Sequence, residues 1–138
     1  MSLFFKQHRD LYYDKLSQPR KNGDWENWIN FFLEGVFVTA TDAKNTLLDI
    51  KRLFAFDDEK VAGLGRARDS SEKVFAVFKK KPLLTISEIT RFTKLSKPTA
   101  INSVNRLIDL GIIKNKSEKK WGQIYLYNRY AELLVTDE

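Results

Sequence analysis

The sequence predicts a mostly α-helical chain that ends in a winged helix-turn-helix with a small β-hairpin. Three observations support this fold class. Apolar residues recur at three- and four-residue spacing over much of the chain, a four-residue turn at 93–96 joins two helical patterns, and two strand-like runs follow. The 138 residues are enough for one ordinary domain or two small ones.

The charge of the chain is unevenly placed along the sequence. Residues 1–65 carry 9 basic and 10 acidic side chains, a net −1, whereas residues 66–138 carry 15 basic and 8 acidic side chains, a net +7. We therefore predict a helical unit over residues 1–65 and a winged helix-turn-helix domain over residues 66–138. Only the second has the charge that attracts a polyanion.

The first half of the chain is predicted to form helices rich in aromatic residues. Residues 4–16 have the apolar spacing of a helix, and residues 18–24, with Pro19 and the Asn-Gly pair, predict a turn. Asp24 is a suitable N-cap for the helix that follows, because its carboxylate can accept from free amides of the first turn. The aromatic density of residues 25–36 predicts that most of this helix is buried.

The middle of the chain is predicted to be less regular. Residues 39–42 can kink or recap the helix, and a further apolar pattern follows. Residues 56–71 lose this periodicity and contain two glycines, which predicts a linker that is helical at most in part. Ser70 or Ser71 can cap the next helix, which Pro82 ends.

The last third of the chain carries the strongest local signals. Thr85 followed by Glu88 is a capping box at the start of a short helix. Ser96 can cap a longer helix that has Pro98 in its first turn, where a missing amide costs nothing, and Gly111 is a good C′ residue. Residues 112–116 and 123–127 are predicted to pair as the strands of a wing.

Helical geometry divides the surface of the longer helix. Ala100, Val104 and Leu107 fall on one side and are predicted to pack on the shorter helix. In DNA-binding members of this fold the opposite side enters the major groove, where Asn and Arg contact purine edges, while lysines of the wing meet phosphates. The predicted DNA-binding residues are Lys97, Thr99, Asn102, Ser103, Arg106, Lys114, Lys116, Lys119 and Lys120.

Two functions remain open at this point for the winged helix. The first is binding of double-stranded DNA, which makes the chain a transcription regulator. The alternative is a protein-interaction module that mediates dimerisation or selects a protein target, because a fold does not fix a function.

The first half also resembles a known family. The segment FFKQHRDLYYDKLSQPRKNGDWENWINFFLEGV, residues 4–36, resembles the last helices of the Fic domain in bacterial Fic/DOC-family proteins. The resemblance rests on Arg9, Tyr12-Tyr13 and Leu16, on Gly23-Asp24-Trp25, and on the block from Trp28 to Val36. In many such proteins a winged helix follows, with a pattern like that of residues 96–113, so the resemblance covers residues 4–134.

The resemblance implies that the parent is a protein adenylyltransferase, which moves AMP from ATP, with Mg, to a target hydroxyl. That activity needs the family's His-Pro-Phe-x-x-Gly-Asn-Gly-Arg loop, which this chain lacks. Its one histidine, His8, precedes Arg9-Asp10, and Asn30 stands where the family's inhibitory motif has Ser or Thr, four residues before Glu34. We therefore expect no catalytic residue and no cofactor in this chain, which would be the C-terminal piece of a longer protein.

Composition excludes several other classes. The chain has no cysteine, so disulfides and thiolate metal sites are excluded. No metal site is predicted at His8 or at the Asp57-Asp58-Glu59 run. This acidic run is expected to solvate a loop or cap a helix. No run of about 18 apolar residues exists, and we expect a cytoplasmic protein without membrane contact. Exposed aromatic residues predict a homodimer mate or a neighbouring molecule that covers Phe4, Phe5, Trp25, Trp28 and Phe32.

Overall fold

The computed structural model describes residues 2–117 and 122–135, which form two compact units. The first unit comprises residues 2–48, and the second comprises the described residues from Asp49 onward. The described residues form seven α-helices and a three-stranded antiparallel sheet, which confirms the predicted fold class. The division between the units falls after Leu48, whereas the division predicted from charge lies at residue 65. No helix in these ranges is both long and apolar enough to cross a membrane.

The first unit contains helices α1 (Ser2–Gln7) and α2 (Arg9–Asn22) and the first 24 residues, 25–48, of α3 (Trp25–Ala62). Aromatic rings hold these helices together, as in the 5.6 Å separation between the ring centroids of Phe4 and Phe31. A Cβ atom on Gly35 would lie 2.6 Å from the Phe4 ring, so this close packing requires glycine. Phe4 is therefore buried by its own chain, and the prediction that a partner must cover it is wrong.

The structure corrects the predicted turn after residue 16. His8 separates α1 from α2, and its Nδ1 donates to the carbonyl oxygen of Phe4 at 3.0 Å. The second helix then runs through Pro19 and ends at Gly23, whose left-handed backbone lets its N–H donate to the Pro19 carbonyl. Proline lacks one intrahelical hydrogen bond, and here that loss does not terminate the helix.

Helix α3 begins as predicted at an Asp24 cap. The backbone N–H and the side-chain amide of Asn27 both donate to the Asp24 carboxylate, and the side-chain bond is the main reason that the pKa of Asp24 is lowered. The helix is continuous through residues 39–42, where a kink or a recap was predicted. Its first half is also less buried than predicted, because α1 and α2 cover only the side that carries Phe31 and Gly35.

The segment predicted as a linker, residues 56–71, is mostly helical. The third helix continues to Ala62, a 3-10 turn spans Gly65–Ala67, and α4 (Arg68–Lys80) follows directly. Ser71 lies inside α4 and is buried, so it does not cap the helix, and Ser70 donates to the Ala67 carbonyl instead. Val61 is fully buried, which makes the end of α3 part of the core of the second unit.

The rest of the second unit is the winged helix-turn-helix and a closing helix. Its elements are β1 (Leu83–Thr85), α5 (Ile86–Thr93), α6 (Lys97–Asp109), β2 (Lys114–Asn115), β3 (Ile124–Leu126) and α7 (Asn128–Val135). The sheet order is β1-β3-β2, and Tyr125 of β3 lies between Leu84 and Asn115. The two strands of the predicted wing are confirmed, while β1 and α7 were not predicted.

One hydrophobic core lies between α4, α5 and α6 and extends under the sheet. Its buried residues are Val61, Val74, Phe75, Phe78, Leu84, Ile89, Ala100, Val104, Leu107, Ile112, Ile113, Tyr125 and Tyr127. Both α4 and α5 pack against α6, so two helices fix the position of the longer helix of the turn.

A buried carboxylate joins α3 to the residue that follows β3 and to α7. Asp57 is fully buried and accepts from the hydroxyl of Tyr127 and from the guanidinium of Arg129, each at 2.7 Å, with Nζ of Lys60 at 3.4 Å. The expectation that Asp57 solvates a loop is therefore wrong. A buried carboxylate needs such partners because an isolated buried charge is very costly.

Candidate nucleic-acid interface

The helix-turn-helix is formed by α5, a short turn and α6. Both predicted capping motifs are present. Thr85 Oγ1 accepts from the Glu88 backbone N–H while the Glu88 carboxylate accepts from the Thr85 N–H, and Ser96 Oγ accepts from the Thr99 N–H at 3.3 Å. Between the helices Lys94 has φ +60, a conformation usually taken by glycine. Its N–H donates to the carbonyl oxygen of Thr90, in the last turn of α5. These bonds fix both ends of α5 and the start of α6.

The inner face of α6 is closed to any partner. Ala100, Ser103, Val104 and Leu107 are fully buried. Ser103 was predicted to contact DNA, and the structure corrects this, because the side chain points into the protein rather than outward. Its Oγ has no hydrogen-bond partner among the described residues.

The outer face of α6 is polar. Lys97, Asn102 and Asp109 are exposed, and Thr99 and Arg106 are half-buried. The predicted positions on α6 other than Ser103 thus remain accessible. The Thr99 hydroxyl is hydrogen-bonded to the Ser96 hydroxyl at 2.8 Å, so it also serves the N-terminal cap.

Asn105 is an exposed amide on this outer face that the sequence prediction omitted. At about 100° per residue it lies 60° from Asn102 around the helix axis, so the same helical wheel contained the signal. Asn102 and Asn105 together present two amides, each of which has the donor and acceptor needed for an adenine edge.

The wing follows α6 after four residues, 110–113. Gly111, at φ +72, reverses the chain, and the N–H of Lys116 donates to the Ile124 carbonyl at 2.8 Å, which extends the pairing of β2 with β3. Lys114 and Lys116 are exposed on this strand. The predicted contacts Lys119 and Lys120 lie outside the described residues.

Some basic side chains near the interface form ion pairs within the protein, and others do not. Lys79 pairs with Asp58, and Lys81 pairs with Glu88, so both have an intramolecular partner. The hydrogen bond from Lys81, and then that from the Thr85 backbone, lowers the pKa of Glu88 to about 2. Within residues 2–117 and 122–135, no ion pair involves the following side chains: Lys94, Lys97, Arg106, Lys114 and Lys116.

The arrangement presents the groups that a protein uses to bind duplex DNA. A firmly capped helix presents amides and a guanidinium, and a two-stranded wing presents ammonium groups. Amides and guanidinium groups can contact base edges, and ammonium groups can contact phosphates.

A comparison with known families supports the same class. The family model described as winged helix-turn-helix DNA-binding matches residues 68–114, which is 47 of the 138 residues. The match begins at α4 and ends at β2, and it contains all of α6. The second unit therefore contains a winged helix-turn-helix domain of the DNA-binding type.

The match and the structural unit differ in extent. The match leaves out the end of α3 and the segment from β3 to α7, although Val61 and Tyr127 from these parts lie in the same core. It also does not reach residues 4–36, and no Fic-family match supports the resemblance of that segment.

Proposed function

We propose that the second unit binds duplex DNA, with α6 in the major groove, and acts as a transcription regulator. The observation that carries the proposal is the outer face of α6, where Lys97, Asn102, Asn105 and Arg106 make no side-chain hydrogen bond or ion pair to another described residue. Arg106 suits the O6 and N7 atoms of guanine, and the two amides suit adenine.

The wing supplies the sequence-independent part of the affinity. Lys114 and Lys116 are exposed and unpaired within the described residues, and the net +7 of residues 66–138 favours a polyanion. Contacts to phosphate release condensed counterions, so affinity falls as salt rises. Asp109, at the C-terminal end of the outer face, repels phosphate and leaves the N-terminal part of α6 as the side that approaches the duplex.

Duplex binding measured against salt tests the proposal. We expect a slope of about −0.9 in log K against log salt for each phosphate contacted. Selection from random duplexes identifies a preferred site. Asn102→Ala and Arg106→Ala should then each cost about 1–3 kcal/mol on that site and relax the preference at one position.

Wing variants give a different signature from base-contact variants. Lys114→Ala and Lys116→Ala should weaken all duplexes alike and reduce the salt slope by about one each. Asn45→Ala, an exposed amide of the first unit, is the matched control and should change neither quantity. Absence of duplex binding at low salt would overturn the proposal and favour the protein-interaction alternative.

We propose in addition that residues 2–48 are the last helices of a Fic-type protein adenylyltransferase whose catalytic loop lies outside this chain. The resemblance of residues 4–36 supports this parentage, and the aromatic residues that carry it pack on one another, as Tyr12 does on Trp28 with ring centroids 5.5 Å apart. This chain then has no catalytic role, and ATP and Mg belong to the parent. A reading frame upstream of Met1 without the catalytic loop would end this proposal.

A further inference from the structure

An apolar surface runs along α3 within the first unit and stays largely uncovered there, although the ring of Phe32 stacks on that of Phe5 with centroids 6.2 Å apart. We call it the α3 stripe, and it consists of Trp25, Ile29, Phe32, Val36, Ala40, Ala43 and Leu47. All seven residues are exposed, and Trp25 and Leu47 at its two ends are 61% and 66% exposed. Apolar surfaces of this extent mark interaction sites rather than ordinary solvent-facing helix surface.

The stripe has the geometry of a helix-pairing surface. Its members are three or four residues apart, and at about 100° per residue they all lie within roughly 80° of one another around the helix axis. From residue 25 to residue 47 the stripe is about 33 Å long at 1.5 Å per residue. Two helices that interdigitate require such a narrow and continuous seam.

The side-chain sizes along the stripe are complementary to those of a second copy in the antiparallel direction. A two-fold axis at Val36 places Trp25 opposite Leu47, Ile29 opposite Ala43, and Phe32 opposite Ala40. Ile29 and Phe32 of one copy thereby meet alanines of the other, while Trp25 meets Leu47 at each end and Val36 lies opposite itself. Parallel pairing would instead place Phe32 against Phe32 and leave Ala40 and Ala43 facing each other across a gap.

Charges beside the stripe favour the same arrangement. Glu26 and Lys44 are 18 residues apart, five full turns of an α-helix, so they project in the same direction beside the stripe. About the axis at Val36, Glu26 of one copy lies within two residues of the level of Lys44 of the other. Both are exposed, and no other described residue forms an ion pair with either.

We infer that a second copy of this chain docks on the α3 stripe, with the two α3 helices antiparallel about a two-fold axis at Val36. The interface is isologous, so each copy presents the same surface and the assembly closes at two chains. This inference goes beyond DNA binding and does not depend on it, because every residue involved lies in the first unit.

The oligomeric mass of the full chain provides the first test. We expect twice the mass of one chain in light scattering behind size exclusion. Val36→Glu places two like charges on the axis and should give single chains. Val38→Glu is the matched control, because Val38 is 37% exposed against 40% for Val36 but faces about 160° away around the helix. Circular dichroism of both variants keeps unfolding separate from dissociation.

Cysteine crosslinking tests the position of the axis and the direction of pairing. The natural sequence has no cysteine, so each introduced thiol is the only one in its chain. Val36→Cys should crosslink with itself under mild oxidation, because the axis brings the two Cα atoms into disulfide range, whereas Val38→Cys should not. In an antiparallel pair, Trp25→Cys crosslinks with Leu47→Cys when the two variants are mixed. Self-crosslinking of Trp25→Cys would indicate a parallel pair and overturn the inference.

Charge reversal tests the flanking pair. Glu26→Lys alone and Lys44→Glu alone should each raise the dissociation constant of the dimer about two- to thirtyfold, because each interface contains the exposed pair twice. The double variant should recover the affinity of the natural chain. A natural chain that is a single copy at all concentrations, or one that is equally dimeric as Val36→Glu, would overturn the inference whether or not the chain binds DNA.

Discussion

The hydroxyl of Tyr127 donates a hydrogen bond to Oδ2 of Asp57 across 2.7 Å, although 70 residues separate the two along the chain. Both side chains are fully buried. Arg129 binds the other carboxylate oxygen at 2.7 Å, so a single carboxylate ties the end of α3 to Tyr127, which joins β3 to α7, and to the first turn of α7. The position of the wing strand therefore depends on a residue outside the segment matched by the family model.

Tyr127→Phe should lower the free energy of unfolding by about 1–2 kcal/mol, because Asp57 loses one buried hydrogen bond but keeps Arg129. Asp57→Ala should cost more, since it leaves the Tyr127 hydroxyl buried without an acceptor. Urea denaturation followed by circular dichroism measures both. Tyr13→Phe, at an exposed tyrosine of the first unit, is the control and should leave the midpoint unchanged. Equal midpoints for Tyr127→Phe and Tyr13→Phe would show that the buried bond contributes nothing.

The same residue predicts a loss of stability in alkali. Burial first, and then the hydrogen bond to Asp57, raise the pKa of Tyr127 well above its ordinary value of 10.0. The unfolded chain therefore releases this proton before the folded chain does. The contribution of Tyr127 is fully present below pH 10 and is lost as the pH rises above it. Between pH 9 and pH 11 the natural chain should lose more stability than Tyr127→Phe, and parallel losses would contradict the assignment.

The lowered pKa of Glu88 predicts a loss of stability at acidic pH. Its pKa is lowered from 4.5 to about 2, mainly by the hydrogen bond from Lys81 and next by that from the Thr85 backbone. Its contribution is therefore present above pH 4.5 and is lost as the pH falls from 4.5 towards 2. Glu88→Gln keeps the acceptor of the capping box but removes the charge. The stability difference between the natural chain and Glu88→Gln should shrink over this range, whereas a pH-independent difference would argue against a charge effect. Glu59→Gln, at an exposed position, is the control.

The sequence predicted best what is encoded within a few residues. Thr85 with Glu88, Ser96 with Pro98, and Gly111 mark the ends of the helices, and the structure confirms each of them. Capping and reversal are local events, because the groups that form the hydrogen bonds lie three or four residues apart. The turn and the long helix of the candidate interface were therefore predictable.

Features that depend on distant partners were not predictable in the same way. Leu84 is a strand residue because Tyr125 lies beside it, and Asp57 is buried because Tyr127 and Arg129 approach it. Three residues of β1 carry too little periodicity to show a strand by themselves. The helical character of residues 56–71 was not visible for the same reason. Val61 packs into a core whose other residues come from later parts of the second unit, so its role does not show in the local sequence pattern.

Ser103 distinguishes the structure from the sequence-based interpretation of α6. Its hydroxyl is fully buried and unpaired among the described residues, so Ser103→Ala removes an unsatisfied polar group and adds a better helix former. We expect Ser103→Ala to be neutral or to stabilise the fold by up to about 1 kcal/mol, without changing duplex affinity or preference. By contrast, Asn102→Ala, one residue earlier and on the exposed face, should change the sequence preference for duplex DNA and have little effect on stability. Paired denaturation and duplex titrations measure both variants. Loss of duplex affinity in Ser103→Ala, at unchanged stability, would show that this side chain reaches the DNA after all.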